Sequence, residues 1–174
     1  MRRGNFVACA AGVATITLGH GFVALVDEPD LSRIVGYTWT VARRGRCRAR
    51  HYAVTRAAGR LVSLHRMLAP EWAVIDHRNA NGLDCRRDNL REATTSQNVA
   101  GQRKQLRPTS SQYKGVHWFA RDLCWRAEIC HEGRRHWLGV FRGVDGEQQA
   151  ALAYNAAARQ LFGDFARLNP VGDA

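Results

Sequence analysis

The chain has 174 residues, enough for one medium domain or two small ones. Its formal net charge is +11 and its pI about 10.5, and because Lys occurs only at positions 104 and 114, Arg carries almost all of the basic excess. A surplus of this size points to a polyanionic partner, and Arg suits bidentate contact with phosphate and guanine. The five cysteines, at 9, 47, 85, 124 and 130, are odd in number and irregularly placed, which argues against a disulfide framework. Cys124, Cys130, His131 and His136 lack a zinc-site spacing, and a strand accounts for them better.

The chain opens Met1-Arg2-Arg3 and runs mostly apolar from Phe6 to Leu18, faintly like an export signal. Thr15, Thr17, Gly19 and His20 interrupt that run. The alternation in Ala14–Leu18, the Gly19-His20-Gly21 turn and the apolar Phe22–Val26 instead predict a β-hairpin. The run is too short and too interrupted to span a membrane, and a cytoplasmic chain is expected. Asp27-Glu28-Pro29-Asp30 reads as a turn and helix start. A strand is expected at Tyr37–Val41. The five arginines between 43 and 50 form either a phosphate-tracking loop or a solvated hairpin tip. His51–Thr55 and Arg60–Leu64 predict a second hairpin about Ala57-Ala58-Gly59. His65 and Arg66 open a short helix through Leu68; both are candidates for phosphate contact, and a packed histidine at the helix start is the equal alternative for His65.

The stretch from Val74 to Asn98 carries the chemistry. Val74-Ile75 is an apolar strand ending in Asp76-His77. A loop rich in Asn, Gly, Asp and Arg follows, then a short strand, Leu90–Ala93. Thr94 with Gln97 has the spacing of a helix capping box. Adjacent strand residues point to opposite faces, so one of Asp76 and His77 can hold a metal while the other faces a substrate. Asn98 lies about one turn into the helix. A carboxylate and an amide oxygen suit a hard cation such as Mg²⁺. Histidine, with an ordinary pKa of about 6.5, can take a proton from water at neutral pH.

This segment resembles the HNH endonucleases, the ββα-metal nucleases of phage and homing type. His77, Asn89 and Asn98 match that pattern in order and spacing, with Asp76 in the acidic metal-binding place and Asn rather than His at the third position. The resemblance implies that His77 is the general base. It implies that Asp76 and Asn98 hold one Mg²⁺ or Mn²⁺ ion per active site, and that Asn89 braces the loop and orients His77. Arg78, beside the base, joins the expected DNA contacts.

Residues 99–112 read as a helix end and a basic linker. Three strands are expected beyond it, at 113–118, 125–130 and 135–141. A helix follows from Asp145-Gly146-Glu147, with Ala150, Ala151, Ala153, Tyr154, Ala157, Ala158 and Leu161 at helical spacing and Gly163 at its end. YKGV at 113–116, WRAEI at 125–129, WLGVF at 137–141, AALAYNAAA at 150–158 and FGDFARLN at 162–169 resemble the Apetala/ethylene-response-factor DNA-binding domain. That family implies a three-stranded sheet in the DNA major groove, where β-ribbons fit. Lys114, His117, Arg126, Glu128, Arg135 and Trp137 are the candidate contacts. His117 and Cys130 stand where the plant pattern has Arg, so the plant target sequence is not carried over.

The expected fold class is α+β: an N-terminal β-rich region (1–60), a ββα-metal core (61–107) and a C-terminal three-stranded antiparallel sheet packed on one helix (108–174). The expected function is a metal-dependent endonuclease acting on double-stranded DNA, with no membrane partner. The rivals are a DNA-binding regulator with an inactive core and, on charge alone, an RNA-directed protein.

Overall fold

The computed structural model describes residue 5 and residues 7–44, 50–104 and 109–172. The centre of the arginine run (45–49) and part of the basic linker (105–108) lie outside the described residues. The protein is mixed α+β, with several small antiparallel sheets and few helices. It divides into two compact units, Met1–Ala93 and Thr94–Ala174.

In the first unit, β1 (Val7–Ala10), β2 (Val13–Gly19) and β3 (Phe22–Asp27) form an antiparallel meander. The expected hairpin is β2–β3, and β1 adds a third strand. Ala14, Ile16 and Leu18 alternate onto the buried face, as period-two patterning requires. At the turn, Gly19, His20 and Gly21 all take left-handed φ angles of 90°, 53° and 75°. A 3-10 helix at Glu28–Arg33 follows, with Pro29 in its first turn.

The second sheet is β4 (Thr40–Arg44), β5 (Arg50–Ala57) and β6 (Arg60–Ser63). β4 starts three residues later than the expected strand at Tyr37. Asn5 supplies the reason: its Oδ1 accepts from the Trp39 N–H at 2.6 Å and its Nδ2 donates to the Trp39 carbonyl at 2.8 Å. Both main-chain groups of Trp39 are thereby taken before the ladder begins. The indole is buried and donates to the Ile34 carbonyl at 3.1 Å.

Helix α1 (Leu64–Leu68) leads to β7 (Ile75–His77), which pairs with β8 (Leu90–Glu92). Ile16, Val26, Ile34, Trp39, Leu64, Ile75 and Leu90 belong to one apolar cluster. The N-terminal meander and the β7–β8 hairpin therefore share a core. Each fully buried Leu or Ile contributes about 1.5–3 kcal/mol.

The second unit begins with α2 (Thr95–Ala100). Its capping box is formed: Thr94 Oγ1 accepts from the Gln97 N–H at 3.1 Å and Gln97 Oε1 accepts from the Thr94 N–H at 2.8 Å. β9 (Val116–Phe119), β10 (Cys124–His131) and β11 (Arg134–Phe141) make an antiparallel sheet with β10 central, and α3 (Gly146–Phe162) packs on it. Ala127 faces Ala150 and Ala151 in one cluster, and Ile129 meets Tyr154 and Ala158 in the next. The small alanines let α3 approach the sheet closely.

β9 starts at Val116 rather than Tyr113. The N–H groups of Tyr113 and Lys114 bond to Ser111 Oγ (3.0 Å) and Asn169 Oδ1 (2.6 Å), not to a strand. Gly115 then turns with φ +74°, where a Cβ would lie 2.2 Å from the Tyr154 ring. Among the described residues, no helix is long and apolar enough to cross a membrane.

Candidate active site

β7 and β8 place two of the expected residues by register alone. Asp76 faces Arg91 across the pair and His77 faces Leu90. Arg91 reaches Asp76 Oδ2 with Nε at 2.9 Å and Nη2 at 2.7 Å. Both side chains are nearly buried, which raises the weight of this charge-assisted contact. Arg91 was missed in the sequence, although the hairpin register would have set it opposite Asp76.

His77 ends β7 and is 8% exposed. Its Nε2 is buried and has no hydrogen-bond partner among the described residues. Burial drives its pKa down to about 4; the Arg50 charge acts in the same sense, and Asp76 and Asp84 oppose it. The ring is neutral at pH 7 and keeps a lone pair. The ring centroids of Tyr52 and His65 lie 6.0 and 5.1 Å from that of His77. Tyr52 and His65 are themselves 5.4 Å apart.

The loop between the two strands is held by its own polar side chains. Asn89 Oδ1 accepts from the Asn79 N–H at 3.0 Å, Asn89 Nδ2 donates to the Asp84 carbonyl at 2.7 Å, and the Asn89 carbonyl accepts from the Arg78 N–H at 2.9 Å. Asn89 thus ties the residue after His77 to the far side of the loop. Asp84, which the sequence reading passed over, is the loop's hub. It accepts from Asn79 Nδ2 (2.8 Å) and from Arg86 Nε and Nη2 (2.8 and 2.7 Å), and Arg86 holds its carboxyl below the usual range.

Two further ties anchor the loop on the N-terminal meander. Leu25 brackets it, donating to the Leu83 carbonyl (2.9 Å) and accepting from the Cys85 N–H (2.8 Å). Arg87 bonds to Asp30. Gly82 lies so close to β5 that a Cβ would be 2.5 Å from the His51 carbonyl oxygen and from Tyr52 Cε1. Over the loop lies an open depression of about 440 Å³ lined by Arg78, Asn79, Asp84, Arg86, Asp88 and Asn89. Two arginines and two amide side chains, set beside the carboxylates of Asp84 and Asp88, give it groups that suit an anionic ligand.

Asn98 is the fourth residue of α2, in the second unit. Arg66 is turned inward, donating to the carbonyls of Trp72 and Ala73. Lys114 is occupied too: its Nζ lies 3.2, 2.6 and 3.1 Å from the carbonyl oxygens of Val99, Ala100 and Gln102. Burial pushes its pKa down to about 8, with the Arg167 charge adding to the effect.

The other candidates of the second unit share one sheet face. Arg126 pairs with His117, and Glu128 pairs with Trp137. Arg135 is 75% exposed and lies 3.4 Å from Glu128. Trp137 is 54% exposed. The Arg126 guanidinium stacks 3.2 Å from the Phe119 ring centroid and bonds to Asp122 at 2.8 Å. Among the described residues, Cys124, Cys130, His131 and His136 do not converge as metal ligands.

The family model described as HNH endonuclease matches residues 69–100, the span from the end of α1 through α2. An uncharacterised HNH endonuclease of Acanthamoeba polyphaga mimivirus is 30% identical over 167 residues, covering 88% of this chain and 79% of the relative. The chain belongs to the HNH endonucleases. Protein 3.8 of Escherichia phage T7 is 34% identical over 98 residues, or 56% of this chain and 77% of that protein. Dehydration-responsive element-binding protein 2D of Arabidopsis thaliana is 47% identical over 62 residues, 34% of this chain but only 28% of the plant protein. No solved structure matches the chain. An HNH nuclease acts on DNA, and the relatives covering most of their own length are viral.

Proposed function

We propose that this HNH endonuclease is a metal-dependent hydrolase of double-stranded DNA, of phage or homing type. A C-terminal domain like the Apetala/ethylene-response-factor module places it on its target. The observation that carries the reading is His77: a neutral imidazole at a strand end, beside a carboxylate, on a loop tied by Asn89.

His77 accepts the proton of the attacking water. The water oxygen bonds to phosphorus and the bond to the 3′ oxygen breaks, leaving 5′-phosphate and 3′-hydroxyl ends. Asn89 is a positioning residue that fixes the peptide after His77 and so the ring's aim. Arg78 and Arg86, on the rim of the depression, draw in the phosphate backbone.

Asp76 and Asn98 are the proposed ligands of one Mg²⁺ or Mn²⁺ ion. Their oxygen donors suit a hard cation. A carboxylate has about four lone-pair sites, so the Arg91 contacts at Oδ2 leave Asp76 able to bind one. Such an ion, when bound, neutralises charge on the phosphate and on the leaving oxygen.

His117, Arg126, Glu128, Arg135 and Trp137 form the proposed DNA-reading face, since alternate residues of a β-sheet can reach base edges in the major groove. The resemblance of 113–169 to the plant domain and the 47% identity with the plant protein support this. Incubation with supercoiled plasmid in Mg²⁺ or EDTA tests the whole reading: nicking in Mg²⁺ alone supports it. Tight duplex binding without cleavage, in Mg²⁺ and in Mn²⁺, would make the protein a DNA-binding regulator instead.

A further inference from the structure

We propose that His65, His77 and Cys85 form a second metal site, one for a soft divalent cation such as Zn²⁺, and that its filling silences the nuclease. One ring nitrogen of each histidine and the Cys85 sulfur lie within 4.8 Å of one another. They come from three separate places: α1, the end of β7 and the loop before β8. Cys85 is fully buried, His77 is 8% exposed and His65 is half-buried, so two of the three donors are largely shielded from bulk water. His77 Nε2 is buried without a hydrogen-bond partner among the described residues. Leaving a buried nitrogen unsatisfied is costly, and a metal bond is one way to recover that cost.

The donor set decides the ion. Two imidazoles and a thiol hold no hard oxygen, so Mg²⁺ has nothing to prefer there, whereas Zn²⁺ takes N and S donors in tetrahedral sites. Tetrahedral zinc spaces its ligand atoms by roughly 3.4–3.8 Å. A contraction of up to about 1.4 Å from the observed 4.8 Å closes the triad, leaving a fourth position for water. Binding displaces the Cys85 thiol proton to solvent as the metal–sulfur bond forms. The Cys85 sulfur is already steered by the His65 main-chain N–H and the Gly82 carbonyl.

The functional consequence follows from His77 belonging to both sets. A lone pair given to Zn²⁺ is unavailable to water. That consequence rests on His77 as the general base; the binding itself does not.

Cobalt(II) serves as the spectroscopic probe, titrated into the full-length protein in the presence of millimolar Mg²⁺. The expected result is saturation near one equivalent with thiolate-to-cobalt absorption. That absorption is lost in Cys85→Ala and in Cys85→Ser, and displaced by Zn²⁺. Two variants guard against misfolding, and circular dichroism of each shows whether it is folded. Plasmid nicking is then measured with and without one equivalent of Zn²⁺, each variant against itself. Zn²⁺ suppresses the wild-type rate and spares Cys85→Ala. Absence of the absorption, or its persistence in a folded Cys85→Ala, overturns the site. If the cobalt signal appears as expected but no variant or wild type ever cleaves DNA, the metal site stands and the nuclease reading falls.

Discussion

Arg87 grips Asp30 across 57 residues of sequence, Nε to Oδ2 at 2.9 Å and Nη2 to Oδ1 at 2.8 Å. The carboxylate is 2% exposed and the guanidinium largely solvated. This pair, with the Asp27 carboxylate accepting from the Arg87 N–H at 2.7 Å, fastens the loop between β7 and β8 to the N-terminal meander.

The pair makes the fold sensitive to acid. The Arg87 hydrogen bonds hold the Asp30 carboxyl below its ordinary 3.8, although burial opposes them. A depressed carboxyl pKa means that the unfolded chain binds the proton first. The stabilisation is therefore complete above the unfolded value of about 3.9 and is lost as pH falls through the lower folded value. Urea midpoints measured from pH 6 to pH 2 should drop on the acid side in the wild type. They should drop less steeply in Asp30→Asn, which starts from a lower midpoint at pH 6.

Gly82→Ala should disturb the same loop from its other end. A Cβ there would meet the His51 carbonyl oxygen and the Tyr52 ring at 2.5 Å, and a backbone oxygen has little room to yield. Forced packing of this kind costs about 1–3 kcal/mol. Thermal melts should show that loss, and plasmid nicking should fall with it, because Tyr52 packs near both His65 and His77.

What the sequence made legible was local. The β2–β3 hairpin follows from apolar alternation about Gly19-His20-Gly21, α2 from the Thr94–Gln97 capping box, and α3 from alanine spacing. The Asp76-His77 pair stood out because it ends an apolar strand. What stayed hidden joins distant segments. Nothing near Arg87 names Asp30, nothing near Leu25 names the loop at Leu83–Cys85, and Asn5 delays β4 from 34 residues away. Lys114 reads as a DNA contact because it is a cation in a stretch that resembles a DNA-binding domain, whereas its ammonium goes to the carbonyls of Val99, Ala100 and Gln102.

Lys114→Met separates those two roles. Its ammonium serves the last carbonyls of α2, and leaving such acceptors unsatisfied costs about 1–3 kcal/mol. The unfolding midpoint of the second unit should fall. The slope of log affinity for duplex DNA against log salt should stay unchanged. A lysine neutralising a phosphate would instead reduce that slope by about 1.

Arg135 and Trp137 should behave in the opposite way. Both are exposed on the sheet face that carries Glu128 and Arg126. Arg135→Ala should leave the melting curve within about 0.5 kcal/mol, as surface changes do. It should weaken duplex binding, with a salt slope smaller by about 1 if the partner is phosphate. Trp137→Ala should weaken binding with little change in slope, since an indole carries no charge.

The proposed hydrolysis of DNA turns on His77, aimed through Asn89, as the base that takes the proton of the attacking water. Supercoiled plasmid incubated in Mg²⁺ with wild type, His77→Ala and Asn89→Ala tests it most directly. Nicking is expected from the wild type, none above background from His77→Ala, and a rate lowered by about 10²-fold or more from Asn89→Ala, as for a misaligned general base. Undiminished nicking by a homogeneous His77→Ala preparation would contradict it.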